Sequence, residues 1–258
     1  MSCVDIRGCR IGEGRPKVIL PIVERAEAAI LEKAAQFSTL QADCVEWRVD
    51  LFELAKDLRA VAHYAAKLRV ALKDKLLLVT FRTKSEGGSA ALSREEYIRF
   101  IHTVLATDCA DLIDIEFFTA GAELPALIEE ARTAGAAVVC SSHDFHKTPP
   151  RAELVSRMVA MQQAGADLPK LAVMPQSRAD VLELLAATAE MADRHPETPI
   201  ITMSMGALGV VSRLSGEALG SAMTFANPGQ ASAPGQVSLE VVNEVLDACL
   251  LYTSDAAD

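Results

Sequence analysis

The sequence predicts a parallel (β/α)8 barrel, and three observations carry that expectation. Short β-rich apolar runs alternate strictly with longer Ala/Leu/Glu-rich stretches of helical period. The count of such runs is eight, and 258 residues is about the length at which eight βα units close as a single domain. An open doubly wound sheet would also alternate, but no GxGxxG follows the first run, and eight units favour closure.

The elements read in order as follows. Residues 1–15 precede the first barrel strand and hold Val4-Asp5-Ile6, Gly8 and Arg10-Ile11, the pattern of a short hairpin covering the barrel bottom. Barrel strands are predicted at 18–23, 44–51, 75–82, 112–118, 136–143, 170–174, 200–205 and 220–225. Helices are predicted at 25–37, 53–72, 94–106, 123–133, 152–164 and 179–194, with a last one at 239–250. Ser93 ahead of Arg94-Glu95-Glu96 has N-cap chemistry, and Gly135 and Gly165 follow helical stretches as stop residues. Pro, Gly and Ser concentrate in residues 226–236, after the last strand, where barrels build their active face. The polar tail 252–258 continues no periodicity.

Half of the residues are hydrophobic and 23% are charged, enough apolar material for a large core. A formal net charge of −10 repels phosphate backbones and anionic headgroups, so neither nucleic acid nor a membrane is the expected partner; a small molecule is. No apolar run approaches the roughly 18 to 20 residues of a membrane span, and the early run 18–23 is broken by Pro21. With no signal-peptide pattern, the expected location is cytoplasmic. The six cysteines are scattered, without a CxxC pair or a His at zinc-ligand spacing, and read as reduced thiols; neither metal nor cofactor is expected.

Polar residues interrupt the apolar strand pattern near strand C-termini, where barrel sites lie. Glu46, Arg48 and Asp50 alternate in one run and share a strand face, although an inward structural charge cluster would look the same. Arg82 and Glu86 end the third run, where a charged loop is the plainer reading. Lys170 opens the apolar stretch Leu171-Ala172-Val173-Met174. A strand-end lysine often reaches to water, but one held among apolar groups suits imine chemistry, in which the imine serves as electron sink without a metal. His143, in Ser142-His143-Asp144-Phe145, is suited to moving protons beside it. His146 reads as solvent-facing, and His63, His102 and His195 as helix residues. Arg213, Ser232 and Gln236 supply a fork and neutral donors for an anion, unless they merely belong to surface loops. Gly206-Ala207-Leu208-Gly209 is a weak phosphate-loop signal.

Taken as an ordered set, these stretches resemble the class I 3-dehydroquinate dehydratase family. The segments are Glu46-Trp47-Arg48-Val49-Asp50, Phe81-Arg82-Thr83 with Glu86-Gly87-Gly88, Ser142-His143-Asp144-Phe145 with Thr148-Pro149, and Lys170-Leu171-Ala172-Val173-Met174-Pro175. They continue through Thr202-Met203-Ser204-Met205-Gly206, Ser212-Arg213-Leu214, Gly220-Ser221-Ala222 with Thr224-Phe225, and Ser232-Ala233-Pro234-Gly235-Gln236. The resemblance implies conversion of 3-dehydroquinate to 3-dehydroshikimate on the shikimate route to aromatic amino acids, by a homodimeric lyase. It further implies an imine on Lys170, His143 as base and then acid, and Glu86 orienting it. Arg213, Ser232 and Gln236 would hold the substrate carboxylate; Glu46, Arg48 and Arg82 its ring hydroxyls; Met203 and Met205 would pack on the ring. Trp47 and the tail after Leu251 depart from the pattern. Two rivals stay open: a class I aldolase, which would share Lys170, and a barrel that binds without catalysis.

Overall fold

The structure is a computed structural model that describes residues 2–229 and 235–254, with the backbone alone at 252–254. The chain opens with an antiparallel hairpin, β1 (Val4–Ile6) and β2 (Cys9–Ile11), whose turn places Arg7 and Gly8 at φ 52 and 80°. Eight parallel strands follow: β3 (Lys17–Ile22), β4 (Cys44–Arg48), β5 (Leu76–Thr80), β6 (Leu112–Glu116), β7 (Ala137–Asp144), β8 (Leu168–Val173), β9 (Ile201–Ser204) and β10 (Met223–Asn227). The ring closes where Ile200 bridges Ser221, with the Ala222 N–H donating to the Ile200 carbonyl at 2.8 Å. The barrel and the hairpin expected from sequence are both present. A two-residue strand, β11 (Val237–Ser238), adds to β10 outside the ring.

Around the strands lie α1 (Glu27–Phe37), α2 (Leu58–Leu72), α3 (Arg94–Leu105), α4 (Phe117–Ala120), α5 (Leu124–Thr133), α6 (Arg151–Gln163), α7 (Arg178–Arg194), α8 (Val210–Leu214), α9 (Gly216–Leu219) and α10 (Leu239–Ser254). Ser93 caps α3 in a reciprocal capping box with Glu96, and Ser177 does the same for α7 with Asp180. The predicted strand 44–51 stops at Arg48, because Val49–Leu51 turns into a 3-10 helix. Strand 112–118 stops at Glu116, where α4 begins. The helix predicted from residue 53 starts at Leu58, since Asp57 caps it by accepting from the N–H groups of Arg59 and Ala60. The chain between β9 and β10 folds into α8 and α9, too short to show a helical period in the sequence.

Period-two alternation sorts the strand residues into two cores. Outward-facing Val18, Leu20, Val45, Trp47, Leu77, Val79, Ile113, Ile115, Val138, Leu171 and Val173 pack under the helices, all fully buried. Inward-facing Ile19, Cys44, Leu76, Leu112, Val139, Leu168, Ile201 and Met223 fill the lower barrel, and Ile6 and Ile11 of the hairpin plug it from below. At the bottom rim, Asp43, Asp111 and Asp167 stand just before β4, β6 and β8. Their carboxylates accept the N–H groups of Val18, Leu77 and Val138 at 2.7–2.8 Å, tying each of these strands to its predecessor.

Trp47 anchors the outer core against Phe52, at a ring separation of 5.8 Å, and its buried Nε1 has no hydrogen-bond partner among the described residues. Trp47→Ala is therefore expected to cost about 3–5 kcal/mol in urea unfolding. Trp47→Phe should cost about 1.5 kcal/mol or less, because it removes a donor that satisfies nothing. Equal losses for the two variants would contradict this packing.

Candidate active site

Toward the C-terminal ends of the strands the inward positions change character. One layer above the apolar plug they are Glu46, Thr80, Asp114, Ser141, Lys170, Met203 and Phe225; above that come Arg48, Arg82, Glu116, His143, Ala172 and Met205. The pleat that buries Ile113 and Leu171 against helices thus turns Asp114 and Lys170 into the barrel. Together with Glu86, Gly87, Phe145, Arg213 and Gln236, members of these layers line a cavity of ≈ 250 Å³. Phe145 packs over Gly87, which only a glycine allows: its φ is +84° and an added Cβ would lie 2.2 Å from the phenyl ring.

Arg82 is the centre of the polar network. Its Nη2 lies 2.7 Å from Asp114 Oδ2, and its Nη1 lies 2.9 Å from Glu116 Oε1 and 3.4 Å from Glu86 Oε2. Burial alone would lower its pKa, but Asp114, Glu116 and Glu86 hold it well above the ordinary range. Asp114 also meets Lys170 Nζ at 3.1 Å and accepts the Ser141 hydroxyl at 2.6 Å. Burial would raise its pKa, yet Arg82 and Lys170 keep it below the usual carboxylate range. Glu116 accepts from the Thr83 N–H at 2.8 Å and from the hydroxyls of Thr83 and Thr119 at 2.7 and 2.6 Å.

His143 and Glu86 are shifted in opposite senses. Burial, then the cations Arg82, Lys170 and Arg48, push the imidazole well below 6.5, so it is neutral near physiological pH. Burial, opposed by Arg82 and reinforced by Glu116 and Asp114, pushes the Glu86 carboxyl up to about 8. Glu86 Oε2 accepts the His143 backbone N–H at 3.1 Å and lies 2.9 Å from Nδ1. An oxygen already accepting there is placed to accept from Nδ1–H as well, an assignment that leaves Nε2 with its lone pair.

The structure brings together in the cavity Lys170, His143, Glu86, Glu46, Arg48, Arg82, Arg213, Gln236, Met203 and Met205 from the sequence reading. Gln236 is seated because Gly235 docks tightly on the Gly206 backbone, where a Cβ would come within 2.2 Å of a carbonyl oxygen. Ser232 lies outside the described residues, as do residues 230–234 of the predicted loop. Two expectations change. Asp50 does not continue the strand face of Glu46 and Arg48; it sits in the 3-10 turn and binds Arg48 Nε and Nη2 at 2.8 and 2.9 Å. Lys170 is the third residue of β8, not the first, and its nitrogen is not surrounded by apolar groups but faces Asp114, with the Phe225 ring 4.8 Å away. The sequence reading gave no site role to Asp114, Glu116, Ser141 or Phe225. For the two acids the signal was present in Leu112-Ile113-Asp114-Ile115-Glu116, the same alternation that marked Glu46 and Arg48.

Burial pushes the Arg213 guanidinium down to about 10; its Nη1 lies 3.8 Å from the Met203 sulfur, and its carbonyl accepts the Thr224 hydroxyl at 2.8 Å. Among the described residues no three His, Cys, Asp or Glu side chains are grouped so as to hold a metal ion, and no helix is long and apolar enough to cross a membrane.

A family model described as type I 3-dehydroquinase matches residues 18–251. A 3-dehydroquinate dehydratase of Bacillus subtilis is 47% identical over 247 residues, 96% of this chain and 97% of its own. One from Clostridium kluyveri is 47% identical over 252 residues, 97% and 99% of the two chains. Among solved structures, the type I 3-dehydroquinate dehydratase of Clostridium difficile with covalent modified comenic acid superposes with a TM-score of 0.94. It is 42% identical and covers 97% of this chain and 99% of its own. The 3-dehydroquinate dehydratase of Enterococcus faecalis gives 0.89 at 42% identity, over 95% and 98%.

The two opposed shifts give a pH signature. Glu86 titrates near 8 in the fold against 4.5 ordinarily, so the folded chain holds a proton that the unfolded chain has lost between those values. Its stabilising share is complete below about pH 4.5 and is lost as pH rises through about 8. His143, held below 6.5, contributes stability present above that pH and lost as pH falls. Glu86→Gln removes the first effect and leaves the second. The urea midpoint of the variant should therefore gain on that of the parent steadily from pH 5 to pH 9; a constant difference would refute the raised Glu86.

Proposed function

The chain belongs to the type I 3-dehydroquinase family, and from that premise we propose that this hydro-lyase dehydrates 3-dehydroquinate to 3-dehydroshikimate through an imine on Lys170, within the shikimate route. The observation that carries the reading is Lys170 itself: 3% exposed, yet among the described residues the one lysine lining the cavity.

Lys170 Nζ adds to the ring ketone, water leaves, and the resulting iminium draws electrons from the neighbouring carbon. His143 is neutral, with Nε2 bare in the tautomer argued above, and takes the proton from that carbon; returning it to the β-hydroxyl lets that group depart as water. A further water hydrolyses the imine and frees the lysine. Glu86 orients the imidazole through Nδ1. Arg213 and Gln236 hold the substrate carboxylate, and since burial disfavours the Arg213 charge, an anion placed there compensates it. Glu46, Arg48 and Arg82 face the ring hydroxyls, while Met203 and Met205 pack on the ring. Homodimeric assembly and a cytoplasmic location belong to the same proposal, on the strength of the family resemblance.

Borohydride added with substrate should inactivate the protein irreversibly and leave a one-ligand mass increase on the peptide containing Lys170; Lys170→Ala should abolish both trapping and turnover. An adduct on another lysine overturns the assignment. His143→Ala should lower turnover by roughly a hundredfold or more while covalent adducts accumulate, because attack on the ketone survives the loss of the proton carrier. Near-normal turnover in that variant would remove His143 from the mechanism.

A further inference from the structure

Asp114 was absent from the sequence reading, yet its carboxylate touches the atom on which the proposed chemistry turns. The residue is fully buried at the inner face of β6. Its Oδ2 lies 3.1 Å from Lys170 Nζ and 2.7 Å from Arg82 Nη2, and its Oδ1 accepts the Ser141 hydroxyl at 2.6 Å. Donors from three neighbouring segments therefore fix one carboxylate, which cannot swing away when its partner reacts. With the Phe225 ring 4.8 Å from the same nitrogen, Asp114 is the charged group closest to Nζ among the described contacts.

We propose that Asp114 is a catalytic residue, the fixed counter-ion of the Lys170 nitrogen in both its ammonium and its iminium forms. The proposal rests on the reading of Lys170 as the imine-forming residue. Condensation of an ammonium with a ketone gives an iminium and water: two of the three ammonium hydrogens leave in that water with the ketone oxygen, the carbon–oxygen double bond is replaced by carbon–nitrogen, and the positive charge stays on nitrogen. When the adjacent carbon gives up its proton, the charge on nitrogen is cancelled in the enamine; expulsion of the β-hydroxyl restores it. Asp114 thus faces a cation before condensation, in the first iminium and in the product iminium. A preplaced anion in a dry site stabilises those states without reorganising, which water could not do. Arg82 serves this arrangement by holding the other side of the same oxygen, and Ser141 by orienting the second one.

The test compares the parent, Asp114→Asn and Ser141→Ala by borohydride quenching of the imine with 3-dehydroquinate, alongside non-covalent binding of a ketone-free carboxylate analogue of the substrate. In the parent, the adduct must fall on the Lys170 peptide; its absence there sinks the imine reading itself. Given that adduct, Asp114→Asn should trap about a hundredfold more slowly, on the scale of losing one preorganised electrostatic group, while the analogue binds within about twofold of the parent. Ser141→Ala, which keeps every charge, should slow trapping about three- to tenfold with the analogue's binding also retained. Trapping at the parental rate in Asp114→Asn overturns the proposal, as does a parallel loss of trapping and analogue binding, the mark of a merely structural role. Should Asp114→Asn fail to fold, Ser141→Ala decides: an unchanged trapping rate overturns the proposal.

Discussion

Three carboxyl groups, those of Glu86, Asp114 and Glu116, converge on the Arg82 guanidinium inside the barrel mouth, and each fixes a different part of the site. Through Glu86 the guanidinium sets the His143 ring, through Asp114 the Lys170 nitrogen, and through Glu116 the Thr83 backbone that begins the Lys84–Glu86 turn. The arrangement is rigid because each carboxyl group has further donors of its own, and moving Arg82 or Asp114 would leave a buried charge unanswered, a loss of about 3–5 kcal/mol. Arg82 entered the sequence reading as a ligand for substrate hydroxyls. Its contacts make it first of all the post on which Glu86, Asp114 and Glu116 are hung.

Charge balance explains why the groups near it shift as they do. Glu46, Asp50, Glu86, Asp114 and Glu116 are all buried, and Arg82, Lys170 and Arg213 are the buried cations, with Arg48 reaching in beside Asp50. Asp114 lies between two cations and stays ionised. Glu86 is the carboxyl on which burial and the neighbouring acids outweigh Arg82, so it is the one that keeps a proton up to about 8. Burial, aided by the same cations that hold Asp114 down, keeps His143 neutral. One field thus produces an ionised acid, a protonated acid and an uncharged imidazole within a few ångströms, the separation of roles that acid–base chemistry at neutral pH requires.

How much of this was legible in the sequence follows from the two periodicities. Eight apolar runs were visible because their outward faces must be continuously hydrophobic under helices, and Lys170, His143 and Arg82 stood out as polar interruptions at run ends. Asp114 and Glu116 carried the same alternating mark but were passed over, since an acid inside a strand declares no chemistry until its partner is known; the partners of Asp114, Arg82 and Lys170, lie 32 and 56 residues away in sequence, and Arg82 lies 34 from Glu116. The turn after Arg48 was not legible either: Val49 and Asp50 continue the strand pattern, and the ties from Asp50 to Arg48 and to the Arg82 and Ser89 N–H groups show why the chain bends there. The pairing of Lys170 with an anion, instead of the apolar surroundings expected, is the main chemical revision.

Register connects the stability of the barrel to its chemistry. A one-residue slip of β8 against β7 would turn Leu171 and Val173 inward and Lys170 outward beneath a helix, exchanging an ion pair for an unpaired charge in an apolar layer. A slip of β6 would do the same to Asp114 and Glu116. The fully buried aliphatic stripe on the outer faces therefore holds the inward charged groups to their layer, and the apolar plug below, completed by Ile6 and Ile11, closes the other end against water. The cost of gathering so many charges at the mouth is offset in those two apolar cores. That division is what lets a strand present, on consecutive residues, a side chain that stabilises the barrel and one that faces the cavity.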